Sequence, residues 1–187
     1  MGVAVEVTDE QLCLWEQSAK ILSGTGHRPQ KLGDEFDLVG PYSSHITSEL
    51  QQLFNLLNPT QIVSGMALGF DQLLALYALE QGIPVLAAIP CDNQEKVWPK
   101  KSQERYHQIL SNKLVTKYTV CSGKYHPGMM QVRNEWMCDH SDALVAAWDG
   151  TSGGTANCVK YARKNEMSIF YINLNFSEKD TKNTLFD

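Results

Sequence analysis

Ala143-Leu144-Val145-Ala146-Ala147-Trp148 runs straight into Asp149-Gly150-Thr151-Ser152-Gly153-Gly154-Thr155, and a helical stretch to Lys164 follows. A short apolar run closed by a turn reads as a buried strand. Glycines in the turn let backbone N–H groups approach an anion, and a helix starting there adds partial positive charge. Strand, glycine loop and helix together form the repeating unit of a parallel sheet.

The same unit recurs upstream. Gly24-Thr25-Gly26-His27-Arg28-Pro29 follows a strand begun by Ile21-Leu22, and Ser64-Gly65-Met66-Ala67-Leu68-Gly69 follows Gln61-Ile62-Val63. Pro90-Cys91-Asp92 closes the run Pro84 to Ile89, and Ser122-Gly123 follows the alternating stretch Leu114 to Val120. Between them, Ile46, Leu50, Leu53, Phe54 and Leu57 recur at helical spacing behind Ser43 or Ser44 as cap, and Phe70, Leu73, Leu74 and Tyr77 mark a second helix. Tyr106, Ile109 and Leu110 suggest a third helix beyond Trp98-Pro99, Met129 to His140 and Gly154 to Lys164 complete the helices, and Ser168 to Ile172 the strands. The expected fold is α/β: a single Rossmann-like three-layer domain, its mostly parallel sheet flanked by helices. The glycine loops then gather at the carboxyl edge, where the strand order switches. This domain is expected over 20–173. Residues 1–19 form an N-terminal appendage, with a capping box at Thr8 to Gln11 and an apolar face of Leu12, Leu14 and Trp15. A polar tail covers 174–187.

Bulk properties narrow the function. The chain has 187 residues, 43% of them hydrophobic, with 16 Lys and Arg against 21 Asp and Glu. That balance disfavours a dedicated duplex-DNA binder. No apolar run reaches the roughly 20 residues of a membrane span, and the start lacks the pattern of a secretory signal, so a cytoplasmic protein is expected. Cys13, Cys91, Cys121, Cys138 and Cys158 form no CxxC pair and have no His at zinc-ligand spacing. They read as thiols in a reducing compartment, with Cys91 and Cys158 as candidate nucleophiles near strand ends. No metal or cofactor is expected.

Candidate ligand-binding residues follow from the loops. Gly24, Thr25 and Gly26 would turn tightly beneath a phosphate, and Arg28 carries a guanidinium fork suited to one. His27 is either a hydrogen-bonded structural residue or a ligand or base. Gly65, Leu68 and Gly69 flank the second loop, and Pro90 closes the third. Asp71 either answers a helix dipole or contacts a ribose hydroxyl. Asp149, Gly150, Thr151, Ser152, Gly153, Gly154 and Thr155 form the densest element, which is neither a Walker A sequence nor GxGxxG. Arg133 is either a solvated helical arginine or a site residue.

Met130-Gln131-Val132-Arg133-Asn134-Glu135, His140-Ser141-Asp142-Ala143-Leu144-Val145-Ala146 and Gly153-Gly154-Thr155 together resemble the core of the SLOG superfamily. That group includes Lonely Guy phosphoribohydrolases, the DNA-processing protein A fold and YpsA-like proteins, and the first two loops resemble the YpsA-like branch. The resemblance implies nucleotide binding, a homodimer or higher homo-oligomer, and a site including Asn134. It also matches Arg133 to a catalytic arginine of the Lonely Guy enzymes. Their catalytic Glu falls here on Cys158, with Asn157 before it, which leaves Asp71 as the other catalytic candidate. The expected function is therefore binding of a nucleotide or nucleotide-derived small molecule, ADP-ribose-like among the candidates, for sensing or sequestration at the carboxyl edge. A nucleoside 5′-monophosphate N-glycosidase is the alternative. Single-stranded DNA binding ranks third, and nucleic acid is disfavoured as a partner because phosphate neutralisation needs cations.

Overall fold

Side chains of the central strands divide by parity between two apolar layers, as a sheet covered on both faces requires. In the computed structural model, which describes residues 4–6, 20–121 and 123–175, Ala143, Val145 and Ala147 enter one core and Leu144 and Ala146 the other. The order is β1 (Ala4–Glu6), β2 (Ile21–Gly26), α1 (Pro41–Leu57), β3 (Gln61–Ser64), α2 (Phe70–Glu80), β4 (Val85–Ile89), α3 (Lys100–Leu110), β5 (Val115–Thr119), α4 (Met129–Asp139), β6 (Ala143–Trp148), α5 (Gly154–Lys164) and β7 (Ser168–Asn173). Ile46 and Leu50 of α1, Leu74 of α2 and Ile109 of α3 pack on the first face. Met137 and Cys138 of α4 and Cys158 and Val159 of α5 pack on the second. Full burial of Phe70 and Phe170 stabilises the first core by about 1.5–3 kcal/mol each relative to exposure.

The sheet order is β1-β7-β6-β2-β3-β4-β5. Strands β2 to β7 are parallel, in the Rossmann-like three-layer arrangement expected. From β2 the chain winds outward through β3, β4 and β5, then returns to lay β6 on the other side of β2. Loops after β2 and β6 therefore leave in opposite directions, and a crevice opens between them. One strand was not foreseen. Ala4–Glu6 pairs antiparallel with β7, Ala4 opposite Tyr171, so part of the expected appendage joins the sheet. Three residues are too few to show a period. The capping box, Leu12, Leu14 and Trp15, and the tail beyond residue 175, lie outside the described residues.

Two local expectations are corrected. Helix α1 begins at Pro41 rather than behind Ser43 or Ser44, with proline in the first turn, where its missing N–H costs nothing. Its cap comes from upstream: the Glu35 carboxylate accepts from Tyr42 N at 2.9 Å, Ser43 N at 2.7 Å and Ser43 Oγ at 2.5 Å. Gly24 and Gly26 lie within β2, not in a turn. A Cβ on Gly24 would overlap Leu74 of α2, and one on Gly26 would meet Phe70, so these glycines seat a helix against the sheet.

Candidate functional site

Strand β2 continues one step past its end, His27 N donating to Ala147 O at 3.2 Å. The chain then turns through the extended Arg28 into a 3-10 turn at Pro29–Lys31, which leaves Arg28, Gln30 and Lys31 exposed. The loop after β6 is organised around Asp149. Its Oδ1 accepts from Thr151 N at 2.9 Å and Thr151 Oγ1 at 2.6 Å, and lies 2.6 Å from His27 Nε2. Lys31 Nζ donates to the Thr151 hydroxyl and stands 4.0 Å from Asp149 Oδ2. Burial alone would raise the Asp149 carboxyl, but the Thr151 hydroxyl and N–H and then His27 outweigh it and hold the group well below the usual range. These contacts clamp the two diverging loops together. Trp148 Nε1 donates to Thr151 O at 2.7 Å and closes the turn. Gly150 and Gly153 take φ of 87° and 144°, where a side chain would be strained. No side chain caps α5, and residues 151–154 ahead of Thr155 are exposed.

The floor is a buried ion pair. Arg133 comes from the inward side of α4 and is 4% exposed, with Nη1 3.6 Å from Asp71 Oδ2 on α2. Asp71 Oδ2 also accepts from Ala67 N at 3.3 Å, and its carbonyl accepts from Ser64 Oγ at 2.7 Å. Burial raises the Asp71 carboxyl above its ordinary range, opposed by Arg133, the Ala67 N–H and Arg28. The same burial lowers Arg133, opposed by Asp71, yet a guanidinium stays charged. Nε and Nη1 of Arg133 have no hydrogen-bond partner among the described residues.

A cleft of about 350 Å³ lies between these loops. The structure brings Thr25, Gly26, His27, Arg28, Asp71, Arg133, Asn134 and residues 151–155 to its walls. Sequence reasoning missed Gln30, Lys31, Ala67 and Met130, which also line it. Lys31 had one legible signal, a second cation three residues after Arg28. Other expected residues stand apart. Gly24 is under Leu74, and Gly65 lies beneath Arg133, where a Cβ would overlap Nη1. Leu68 and Pro90 are buried, and Gly69 packs on the His27 carbonyl. Asp149 and Gly150 shape the loop rather than line the cleft. The loops after β4 and β5 bind each other, Asp92 N to Gly123 O at 3.1 Å, because those strands lie beyond the switch. The expected convergence of five loops thus reduces to those after β2, β3 and β6, joined by α4.

His140, Ser141 and Asp142 sit at the opposite, amino edge, where Asp142 Oδ2 accepts from Ile21 N at 2.7 Å and Ser141 Oγ bonds Ser23 Oγ at 2.8 Å. Cys91 and Cys158, the candidate nucleophiles, are buried, and neither lines the cleft. Cys158 Sγ faces Cys138 Sγ at 3.8 Å. Gly154 has no atom within 4 Å of an added Cβ and no positive φ. Gly154→Ala is therefore expected to keep or raise stability by about 0.5–1 kcal/mol while crowding the cleft mouth, measured by urea unfolding beside ligand titration.

Comparison with known proteins adds identity. The family model described as DNA recombination-mediator protein A matches residues 39–185. The uncharacterized SPbeta prophage-derived protein YoqJ of Bacillus subtilis (strain 168) is 34% identical over 130 residues, which is 62% of this chain and 76% of YoqJ. Among solved structures, DNA processing protein A from Helicobacter pylori, studied for its single-stranded DNA binding mode, superimposes with a TM-score of 0.60. It is 24% identical, over 96% of this chain and 75% of that one. DNA processing protein A from Streptococcus pneumoniae gives a TM-score of 0.58 at 18% identity, over 92% of this chain and 56% of its own. These matches support the SLOG superfamily. They overturn the expectation of a sensor or sequesterer of an ADP-ribose-like small molecule, together with its N-glycosidase alternative and the ranking of nucleic acid as a disfavoured partner. A whole-chain charge sum does not report where cations stand, and here Arg28 and Lys31 share one cleft.

Proposed function

Because the chain belongs to the DNA recombination-mediator protein A family, we propose that it binds single-stranded DNA, the backbone of one strand lying in the cleft between the β2 and β6 loops. The observation that carries this reading is the clamp at Asp149, which joins the two loops so that Arg28, Lys31 and the uncapped amides of α5 face one space. Backbone binding draws on such local cations and on helix N-termini, so a net charge of −5 does not oppose it. A cleft of about 350 Å³ has room for the sugar–phosphate of one strand. Arg133 and Asp71 serve as a positioning pair under the phosphate rather than as catalytic groups. The loops Gly24 to Pro29 and Ser64 to Gly69 favour the YpsA-like branch, and a DNA partner implies the cytoplasm.

Fluorescence anisotropy of a labelled oligothymidylate over a salt series tests the proposal. Hydrogen bonds to charged groups contribute about 1.5–3 kcal/mol each, so Arg28→Ala with Lys31→Ala is expected to cost tenfold or more in affinity. The slope of log affinity against log salt should fall by about 0.7 per lost phosphate contact. Equal affinity and slope in wild type and double variant would sink the reading, as would tighter binding of duplex than of single strand.

A further inference from the structure

Aromatic pairs in the interior meet edge-on, Phe54 with Tyr77 at 66° and Trp98 with Tyr106 at 88°. One group at the surface does the opposite. Trp136 of α4 lies nearly parallel to Tyr118 of β5, at 16° with centroids 4.7 Å apart, and to His140, at 19° and 4.0 Å. Tyr118 is 47% exposed, so burial does not explain its placement. Flat, stacked rings half open to water are the surface on which unpaired nucleobases stack, with little regard to sequence.

The position of this stack relative to the cleft is set by α4. Met129, Arg133 and Met137 make the buried side of that helix. Met130 and Asn134 turn from one flank of it into the cleft. By helical geometry Val132 and Trp136 lie on the other flank, a turn apart. Of the six large apolar side chains exposed among the described residues, three belong to this region: Tyr118, Tyr125 and Val132. Lys124 and Tyr125, both exposed, precede the first turn of α4. A strand leaving the cleft would cross that end of the helix past Lys124, a helix width of about 10 Å, and then follow α4 down from Met129 to Trp136, a further rise of about 10 Å. The whole path of about 20 Å is about six nucleotides at the stacked rise of ~3.4 Å, beyond the reach of a tetranucleotide seated in the cleft.

We propose that the stacked rings of Tyr118 and Trp136 form a second subsite, which receives an unpaired base of the same strand whose backbone occupies the cleft. The subsite rests on the single-stranded DNA reading above and adds to it a contact with bases, a minimum length and a direction of travel. The cleft alone would hold a short oligonucleotide, whereas the ring stack is reached only by a longer one.

The test compares oligothymidylates of about four and about twelve residues by anisotropy, with wild type, Tyr118→Ser and Trp136→Ala. Thermal melts of each variant check folding, and Tyr118→Ser, at an exposed strand position, is the variant least dependent on the core. Each substitution is expected to weaken the longer oligonucleotide about tenfold and leave the shorter one unchanged. A long oligonucleotide with abasic residues in its distal half should bind wild type as weakly as the intact one binds Tyr118→Ser. Unchanged affinity for the long oligonucleotide in both variants overturns the subsite and leaves the cleft reading standing. An equal loss for both lengths overturns it too, since the effect then runs through the cleft. No binding of either length by wild type overturns the single-strand reading and the subsite with it.

Discussion

Arg133→Ala is expected to cost about 3–5 kcal/mol of folding stability, read as a lowered urea midpoint at unchanged slope. The guanidinium is 4% exposed and 3.6 Å from Asp71 Oδ2, and removing it strands a buried carboxylate. Protonation of Asp71 would relieve part of that cost, and burial already pushes the group in that direction. Replacing both partners, as Arg133→Met with Asp71→Leu, should recover most of the loss, because a buried ion pair is often no more stable than apolar residues of similar volume. If Arg133→Ala stayed within about 1 kcal/mol of wild type, the pair would not be what holds α4 to the β3 loop. Gly65 belongs to the same arrangement. A Cβ there would overlap Arg133 and stand 2.8 Å from Asp71 Oδ2, so the smallest side chain makes room for the largest cation.

The second large effect lies under the cleft. Gly26→Ala would set a Cβ 2.5 Å from Phe70 Cβ and 2.5 Å from its Cγ. A rotamer change cannot remove this contact, because Phe70 Cβ moves only with the backbone of α2 and the ring is fully buried. Overpacking typically costs about 1–3 kcal/mol and occasionally more, and a clash with a backbone-fixed atom belongs at the upper end. Gly24→Ala meets the tip of Leu74 instead, which can swing, so it should cost less. Urea unfolding of the two variants side by side checks this order, and equal losses would show that α2 shifts as a body.

The contrast between these glycines shows how far residue type alone reaches. Gly24, Gly26 and Gly153 look alike in sequence, and each follows or ends an apolar run. Two admit a helix against a strand, and the third lets an amide loop turn with positive φ. Local spacing cannot separate these uses, because what a glycine accommodates is a neighbour distant in the chain. Glu35 teaches the same lesson. It caps α1 from six residues before the first helical position, and no local capping pattern records it.

By themselves, the residues determined the alternation of strands and helices, the parallel sheet they build, and the carboxyl edge where glycine loops cluster. Those features follow from periodicity, burial and turn chemistry, which act over a few residues at a time. Tertiary structure alone decided which loops meet. Topology placed β6 beside β2 and carried the β4 and β5 loops away, leaving two cations, a clamped aspartate and a buried arginine around one cleft. It also stacked Trp136 on Tyr118, residues that share no local pattern. Charge shows the division most plainly: a sum over the chain is blind to position, and binding a polyanion depends on position.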